Sequence, residues 1–202
     1  MPTTITSIGL SIDGGYYCKI NDGLYKVGYR LNLEKLSRYI REYIAKKFGL
    51  DTSQCLITES HFFRGRFRMQ DARKHNQLEG ERAFEDTLID NDVVFHYKHI
   101  YEMGNGSIKE KGIDVWFALE TYELAIYRDF DFVVLITGDA DHEMLARKIK
   151  TLKKQVVLVT WNMAERDSTS PALKEEVTMH IDLDEIAKES KDLLDIICDP
   201  IK

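Results

Sequence analysis

Apolar, β-branched runs alternate along the chain with stretches whose apolar positions recur at helical spacing. The run from Val133 to Ile136 is the clearest example, since it ends at Thr137-Gly138 and a helical pattern follows. Such runs predict strands over 5–13, 54–63, 91–100, 132–137 and 155–161, with a short edge strand over 177–183. The helical stretches predict helices over 31–49, 67–88, 114–127, 141–151 and 184–197. This alternation predicts an α/β fold with helices on both faces of a mainly parallel sheet.

The helix predicted over 114–127 carries an apolar stripe made of four side chains: Val115, Leu119, Tyr122 and Ile126. Asp114 comes directly before this stripe, so we expect its carboxylate at or near the start of the helix. Two polar stretches, 104–107 and 166–173, are predicted to be loops.

Length and composition fit one compact domain. The 202 residues are 44% hydrophobic and 31% charged, which is enough for a sizeable core. We expect the domain to span 1–183, with a C-terminal helix over 184–202 that packs on it or extends it. No apolar run is long enough to cross a membrane, and we expect no secretory signal. The three cysteines are widely separated, which favours reduced thiols in a cytoplasmic protein.

Positive charge is concentrated in one segment of a chain whose formal net charge is −6. Five basic side chains lie between residues 62 and 77: Arg64, Arg66, Arg68, Arg73 and Lys74. Three phenylalanines are interleaved with them: Phe62, Phe63 and Phe67. Because arginine binds phosphate and aromatic rings stack on unpaired bases, one interpretation is an RNA-binding rim. The other is a solvated surface whose arginines pair with Asp71, Glu79 and Glu81, and both stay open.

Four aspartates follow predicted strands or begin predicted helices: Asp13, Asp114, Asp139 and Asp141. Ligands of open α/β sheets bind beyond the carboxyl ends of the strands, and a parallel sheet would bring these side chains together there. Carboxylate oxygens are the ligands that Mg²⁺ and Mn²⁺ prefer. The sequence therefore suggests an acidic metal site.

Each of these aspartates also has a purely structural interpretation. Aspartate is a favoured N-cap of helices, and Asp13-Gly14-Gly15 reads equally well as a turn after a strand. However, Asp139 and Asp141 cannot both cap one helix, and two neighbouring carboxylates repel each other unless a cation or proton intervenes. The joint pattern therefore favours a site over four separate caps.

The histidines suggest no metal site. His96 and His99 lie three residues apart in a predicted strand, so they point to opposite faces of the sheet. His61 and His180 also lie in strand-like runs, and we expect them to be packing residues.

The order of these acidic motifs resembles the NYN domain, in the LabA-like branch of the PIN-like nuclease superfamily. The matching features are Asp13 after the first strand, K-G-I-D with Asp114, and T-G-D-A-D with Asp139 and Asp141. The resemblance covers roughly residues 5–183 and implies a Rossmann-like PIN fold, a three-layer sandwich around a mainly parallel sheet. It further implies that the four aspartates bind Mg²⁺ or Mn²⁺ for cleavage of RNA.

Three positions bear on how far this resemblance extends. Members of the family commonly carry asparagine three residues after the first aspartate, where this chain has Tyr16. A bulky apolar residue usually follows the T-G-D-A-D motif, where this chain has His142, which either reaches a phosphate or simply begins a helix. Lys111 matches the lysine of the family's K-G pair and either approaches substrate phosphate or is solvated.

Two functional hypotheses follow. The first is a metal-dependent ribonuclease that acts on single-stranded or structured RNA. The second is a non-catalytic RNA- or nucleotide-binding module of the same fold, which the loss of asparagine at Tyr16 favours. Phosphatase and Toprim-like sites fit poorly, because the first strand ends in a single aspartate rather than a D-x-D pair or a glutamate. A homodimer through the last helix is a further possibility.

Overall fold

A six-stranded parallel sheet forms the centre of the protein. The structure is a computed structural model that describes residues 5–102, 108–109, 111–163, 169–190 and 192–201. Its strands are β1 Thr6–Asp13, β2 Tyr29–Leu31, β3 Cys55–Arg66, β4 Val93–His99, β5 Tyr101–Glu102, β6 Ile108–Lys109, β7 Phe132–Ile136, β8 Gln155–Thr160, β9 Met179–Asp182 and β10 Cys198–Pro200. The order in the central sheet is β4-β3-β1-β7-β8-β9, and all neighbours in it are parallel. Two small antiparallel pairs, β2 with β10 and β5 with β6, lie outside it.

Helices cover both faces of this sheet. They are α1 Gly14–Lys26, α2 Leu33–Phe48, α3 Met69–Lys74, α4 Leu78–Asp90, α5 Ile113–Tyr127, α6 Glu143–Thr151, α7 Pro171–Glu176, α8 Leu183–Glu189 and α9 Leu193–Ile197. Two short 3₁₀ turns cover Thr52–Gln54 and Ala140–His142. The predicted α/β class and the three-layer sandwich with a parallel central sheet are confirmed.

The strand order changes direction between β1 and β7. After β1 the sheet grows outward through β3 and β4, and it then grows on the other side through β7, β8 and β9. In doubly wound sheets the helices on either side of such a point leave a crevice at the carboxyl ends of the strands. Asp13 ends β1 at this crevice.

The core consists of two layers, one on each face of the sheet. On one face, Ile8, Leu10 and Ile12 of β1 pack in a cluster with α1 and α2. On the other face, Val133 and Leu135 of β7 pack with α5 and α6. Because alternate residues of a strand point to opposite faces, these central strands are apolar throughout, as expected of a sheet buried on both sides.

The sequence does not predict helix α1, because Asp13-Gly14-Gly15 is also typical of a turn after a strand. Its glycines disfavour a helix, yet four of its residues face the core: Tyr16, Tyr17, Ile20 and Leu24. Gly14 is required for close packing, because a Cβ there would lie 2.6 Å from the backbone oxygen of Phe63. Tertiary packing therefore outweighs the low helix propensity.

Two predicted helices are each divided in the structure. The region predicted over 67–88 forms α3 and α4, separated near Asn76, which has a positive φ of 55°. The helix predicted over 184–197 is broken at Ser190 into α8 and α9, and β10 then pairs with β2. The predicted loop over 104–107 and part of that over 166–173 lie outside the described residues, and α7 begins within the latter. The domain boundary at residue 183 stays a prediction.

Helix α5 presents an unexpected face to the core. Its buried residues are Ile113, Phe117, Thr121 and Ala125, and the Thr121 hydroxyl donates a hydrogen bond of 2.9 Å to the hydroxyl of Ser11 on β1. The apolar stripe seen in the sequence lies on the outer side, where Val115 and Leu119 are 62% and 65% exposed. The helix is therefore apolar on two faces and buries only one of them within the described chain.

Among the described residues, no helix is both long enough and apolar enough to cross a membrane. Within the described residues, the three cysteines, Cys18, Cys55 and Cys198, form no disulfide.

Candidate functional site

Asp13 is held at the end of β1 by three hydrogen bonds. Its Oδ1 accepts from the backbone N–H groups of Gly15 at 2.9 Å and Tyr16 at 3.1 Å, which caps α1. Its Oδ2 accepts from the Thr137 hydroxyl at 3.1 Å, across the junction between β1 and β7. Asp13 therefore caps a helix, where the structural alternative considered for it was a turn after the strand, and its second oxygen also ties the carboxylate to the neighbouring strand.

The acids after β7 differ in their structural roles. Asp139 caps the short turn over Ala140–His142, since its Oδ1 accepts from the backbone N–H of Asp141 at 3.0 Å. The Asp139 backbone N–H donates to the Thr137 hydroxyl at 3.3 Å, so Thr137 links it to Asp13. Asp141 is exposed, and its carboxylate makes no hydrogen bond or ion pair within the described residues.

Asp114 is not a helix cap. It is the second residue of α5, whose N-cap is Gly112 in the left-handed region with φ 79°, and no side chain caps this helix end. Burial, followed by the charge of Asp13, raises the pKa of the Asp114 carboxyl. Asp139 and Asp141 add smaller effects in the same direction. The structure therefore brings the other three carboxylates within electrostatic range of Asp114, although they come from distant parts of the chain.

His142 lies buried beside these acids. It is 1% exposed, and its ring packs on Phe117 with the ring centroids 4.5 Å apart. Neither ring nitrogen has a hydrogen-bond partner in the part of the chain that the structure describes. Burial lowers its pKa, while the charges of the four carboxylates, that of Asp13 first, act in the opposite direction. His142 directly precedes α6, the helix-start position considered in the sequence, and is too buried to contact a phosphate in solution.

A groove of about 510 Å³ opens at the end of β1 and β7. The lining residues are Asp13, Tyr16, Lys19, Gly138, Asp139, Ala140 and Ser170. Asp114 and Asp141 are not among them, so the groove reaches two of the four acids. Gly138 is required here, because a Cβ at this position would lie 2.9 Å from the Tyr16 ring.

Tyr16 occupies the position where the NYN pattern has asparagine. Its ring is 6% exposed, and its hydroxyl donates to Oδ1 of Asn162 at 3.3 Å while accepting from the backbone N–H of Trp161 at 3.0 Å. Asn162 follows β8, the next strand outward from β7. Tyr16 thus connects α1 to the loop after β8. The side chain that it contacts, Asn162, is itself an asparagine, but it lies after β8 and not on α1, where the family pattern has one.

The basic side chains of the segment 62–77 differ in their surroundings. Arg64 lies beside the start of α1, because a Cβ on Gly14 would approach the Arg64 Cβ to 2.7 Å. Arg66 is engaged in ion pairs with Glu81, at 3.4 Å, and with Glu85, and it lies over the Tyr97 ring. Arg68, Arg73 and Lys74 are exposed on or next to α3. The pairing of Arg66 with Glu81 fits the structural interpretation, whereas the position of Arg64 beside the start of α1 is compatible with the functional one.

The phenylalanines of this segment do not stack on bases. Phe62 and Phe63 are fully buried and Phe67 is 5% exposed. The suggestion that these rings stack on RNA bases is therefore wrong, because they are packed inside the protein at and just after the end of β3.

Sequence reasoning missed several side chains that frame the site. Lys19 lines the groove from α1, a helix that was not predicted. The Lys98 ammonium lies beside Gly112, since a Cβ there would be 2.8 Å from the lysine Nζ. Thr137 was visible as a hydroxyl between β7 and Gly138-Asp139, but its contact with Asp13 depends on the register of β1 and β7, which pairs Ile12 with Ile136. Lys111, which sequence reasoning did include, is exposed just before α5.

The donor set suits a hard divalent cation in type. It consists of carboxylates whose mutual repulsion a cation would relieve, and the buried, unpartnered nitrogens of His142 lie beside them. Among the described residues, however, no three His, Cys, Asp or Glu side chains are already arranged as ligands of a metal ion. Mg²⁺ is often held by only one or two carboxylates, with water and substrate phosphate completing its shell. Asp13 and Asp139 in the groove fit that mode of binding.

Comparison with known families supports the resemblance seen in the motifs. The family model of the NYN domain matches residues 8–184, a range that includes the four aspartates and the basic segment. The match is to the NYN domain as a whole and does not single out the LabA-like branch. A comparison with curated proteins gave no match.

Proposed function

Because the chain belongs to the NYN domain family, we propose that it is a metal-dependent ribonuclease that hydrolyses RNA phosphodiester bonds in the groove at the ends of β1 and β7. The main support is the convergence of Asp13 and Asp139 on this groove, at the point where the strand order changes direction. Sites in open parallel sheets are found at this point. The choice of RNA as substrate rests on the family.

The four aspartates are the proposed ligands of Mg²⁺ or Mn²⁺. When bound, such an ion lowers the pKa of a water molecule and stabilises charge on the scissile phosphate. Asp13 and Asp139 offer carboxylates whose orientation is fixed by hydrogen bonds. Asp114 and Asp141 carry no hydrogen-bonding partner within the described chain, so they are free to turn toward an ion or toward the attacking water.

Basic side chains around the groove would bind the RNA backbone. Lys19 lines the groove itself, and Arg64 lies next to the start of α1 beside Asp13. We propose that these two contact the phosphates nearest the cleaved bond. More distant backbone contacts are assigned to four further residues: Arg68, Arg73, Lys74 and Lys111. Arg66 is better explained by its ion pairs than by RNA binding. The enzyme is proposed to act in the cytoplasm, where its thiols stay reduced.

Two observations favour an RNA-binding module without turnover. Tyr16 replaces the small polar side chain that family members commonly present beside the first aspartate, and the described carboxylates form no ready-made ligand cage. In that case the groove and its basic side chains would still bind RNA, but the scissile phosphate would not be activated.

Cleavage of end-labelled single-stranded RNA in Mn²⁺, Mg²⁺ or EDTA tests the proposal. The variant Asp139→Asn keeps an oxygen for capping the turn but removes the charge, and Asp86→Asn on the exposed side of α4 is its matched control. Metal-dependent cleavage by the wild type and Asp86→Asn, absent from Asp139→Asn, is expected. No cleavage by any of the three, with RNA retained in a gel shift, would favour the binding module. Equal cleavage by all three would contradict the assignment of the acidic site.

A further inference from the structure

The outer side of α5 carries an apolar row of four side chains, of which only Tyr122 packs in part against the core of the described chain. Val115, Leu119 and Ile126 are 62%, 65% and 47% exposed, and Tyr122, in the same row, is half-buried. At 3.6 residues per turn these four side chains lie within one narrow sector, roughly 150° around the helix from the buried row. A surface helix normally has a polar outer face, so a helix that is apolar on opposite sides indicates a second packing partner.

The spacing of this row indicates what the partner is. Counted along the helix, the four residues are separated by four, three and four positions, so the row reads the same in both directions. A two-fold contact needs a surface that is complementary to itself. If two copies of α5 pack antiparallel about the middle of the row, Val115 meets the partner's Ile126 and Leu119 meets the partner's Tyr122.

Charges at the two ends of the helix are complementary in the same arrangement. Lys111, exposed before the start of α5, forms no ion pair within the described residues. Asp129, after the end of α5, has a fully exposed carboxylate whose nearest recorded cation is Lys154 at 3.7 Å. Antiparallel packing places Lys111 near the partner's Asp129 at both ends of the contact. It also sets the positive end of each helix dipole beside the negative end of the other.

We propose that the outer face of α5 is a self-association surface, on which a second copy of this chain packs its own α5 antiparallel about a two-fold axis. This surface differs from the last helix, which the sequence suggested, because α9 packs on α2 and is shorter. The proposal concerns assembly alone and holds whether or not the groove cleaves RNA.

Sedimentation velocity of the full chain over a hundredfold range of concentration tests the association. The wild type is expected to shift from monomer to dimer as concentration rises. Leu119→Glu places a charge in the middle of the row and is expected to weaken dimerisation about tenfold or more. Ile89→Glu, which alters a 58% exposed side chain on α4, is the matched control and is expected to dimerise like the wild type. Because Leu119 is exposed, the variant should keep the wild-type circular dichroism spectrum.

Disulfide trapping tests the antiparallel orientation. In a Cys18→Ser background, Val115→Cys mixed with Ile126→Cys should form a disulfide-linked dimer, whereas Val115→Cys alone should not. A wild type that stays monomeric throughout the concentration range would overturn the proposal. So would a dimer that Leu119→Glu does not weaken, or Val115→Cys linking to itself in preference to Ile126→Cys.

Discussion

The Thr137 hydroxyl donates a hydrogen bond of 3.1 Å to Oδ2 of Asp13 and so joins the ends of β1 and β7. Replacing Thr137 by valine keeps the shape of this fully buried side chain but removes this bond and the one that the hydroxyl accepts from the Asp139 backbone N–H. We expect the free energy of unfolding to fall by about 1–2 kcal/mol, since each such bond usually contributes about 1 kcal/mol. We also expect metal-dependent cleavage to fall more than RNA binding, because Asp13 is less firmly oriented.

Urea unfolding and RNA cleavage of the same preparations measure both effects of Thr137→Val. Thr137→Ser retains the hydroxyl and should recover cleavage. If valine and serine variants cleave RNA equally well, the hydroxyl does not orient Asp13 for the reaction.

Removing the Tyr16 hydroxyl separates its structural role from any role in the reaction. Tyr16→Phe loses the bonds to Asn162 and to the Trp161 backbone N–H. Because Trp161 is buried, an unpaired N–H there costs about 1–3 kcal/mol. The melting temperature should therefore decrease, while cleavage per folded molecule well below that temperature stays close to the wild-type value. A loss of cleavage without a loss of stability would instead place the hydroxyl in the reaction.

Neutralising Asp114 should make the metal-free protein more stable and less active. Its pKa is raised in the folded state, so folding disfavours its ionised form, and above the raised pKa that penalty is present in full. Asp114→Asn removes the penalty and should raise the melting temperature measured in EDTA, while lowering cleavage.

Divalent cations should reverse the relative stability of the wild type and Asp114→Asn. Mn²⁺ stabilises whatever folded state binds it, so it should raise the melting temperature of the wild type and have a smaller effect on Asp114→Asn. Differential scanning fluorimetry with increasing Mn²⁺ measures both shifts, and Asp86→Asn again serves as the control. Equal Mn²⁺ shifts in the wild type and Asp114→Asn would argue against Asp114 as a metal ligand.

A pair of histidines away from the groove should make the fold sensitive to mild acid. Nδ1 of His61 lies 2.9 Å from Nε2 of His96, and burial lowers the pKa of both. As the pH falls, the unfolded chain therefore takes up protons before the folded chain does. The free energy of unfolding should be steady above about pH 6.5 and decrease as the pH falls from there through the lowered pKa values.

Urea unfolding on either side of this range tests the role of the pair. His61→Gln combined with His96→Gln should flatten the pH dependence, leaving the contribution of the buried His142, whose pKa burial also lowers. His99→Gln, on the exposed part of the same strand, should leave it unchanged. An unaltered slope in the double variant would show that other groups cause the acid sensitivity.

Arg64 and Arg66 are expected to respond differently to substitution, although they are two residues apart. Arg64→Gln should weaken RNA binding and reduce its salt dependence, because a phosphate contact is lost. Arg66→Gln should instead reduce stability by about 1–3 kcal/mol, because it leaves the half-buried carboxylates of Glu81 and Glu85 without their cation. Fluorescence anisotropy of labelled RNA and thermal unfolding distinguish the two, and an exchange of these effects would contradict the placement of Arg64 at the site.

The strands of the central sheet could be predicted from the sequence because most of them are short apolar runs between polar stretches, whereas their order in the sheet is known only from the structure. Helix α1 could not, since Gly14, Gly15 and Gly23 lower helix propensity and its formation depends on packing against the sheet. The periodicity of α5 was visible, but a helix with two apolar rows does not reveal which row faces the core. The buried row is the one that packs on β1, where Thr121 bonds to Ser11, and β1 is distant in sequence.

The candidate site likewise has features that the sequence predicts and features that it does not. Aspartates at strand ends are recognisable because a parallel sheet gathers such ends at one edge, and the structure brings the other three within electrostatic range of Asp114. Contacts that depend on register, such as Thr137 with Asp13, and side chains on unpredicted elements, such as Lys19, leave no local signal in the sequence. The burial of the phenylalanines beside Arg64 could not be predicted for a related reason, because Phe62 and Phe63 are covered on opposite faces of the sheet by elements distant in sequence.

The reversal of strand order at β1 has a consequence for the synthesis of the protein. The first half of the sheet, β1 to β4, is translated before any of the residues that complete the groove. A growing chain that has reached His99 contains Asp13 but none of its three acidic neighbours. The acidic site therefore cannot exist until β7 has been made and inserted beside β1, so the proposed cleavage of RNA cannot begin while the first half of the chain emerges from the ribosome.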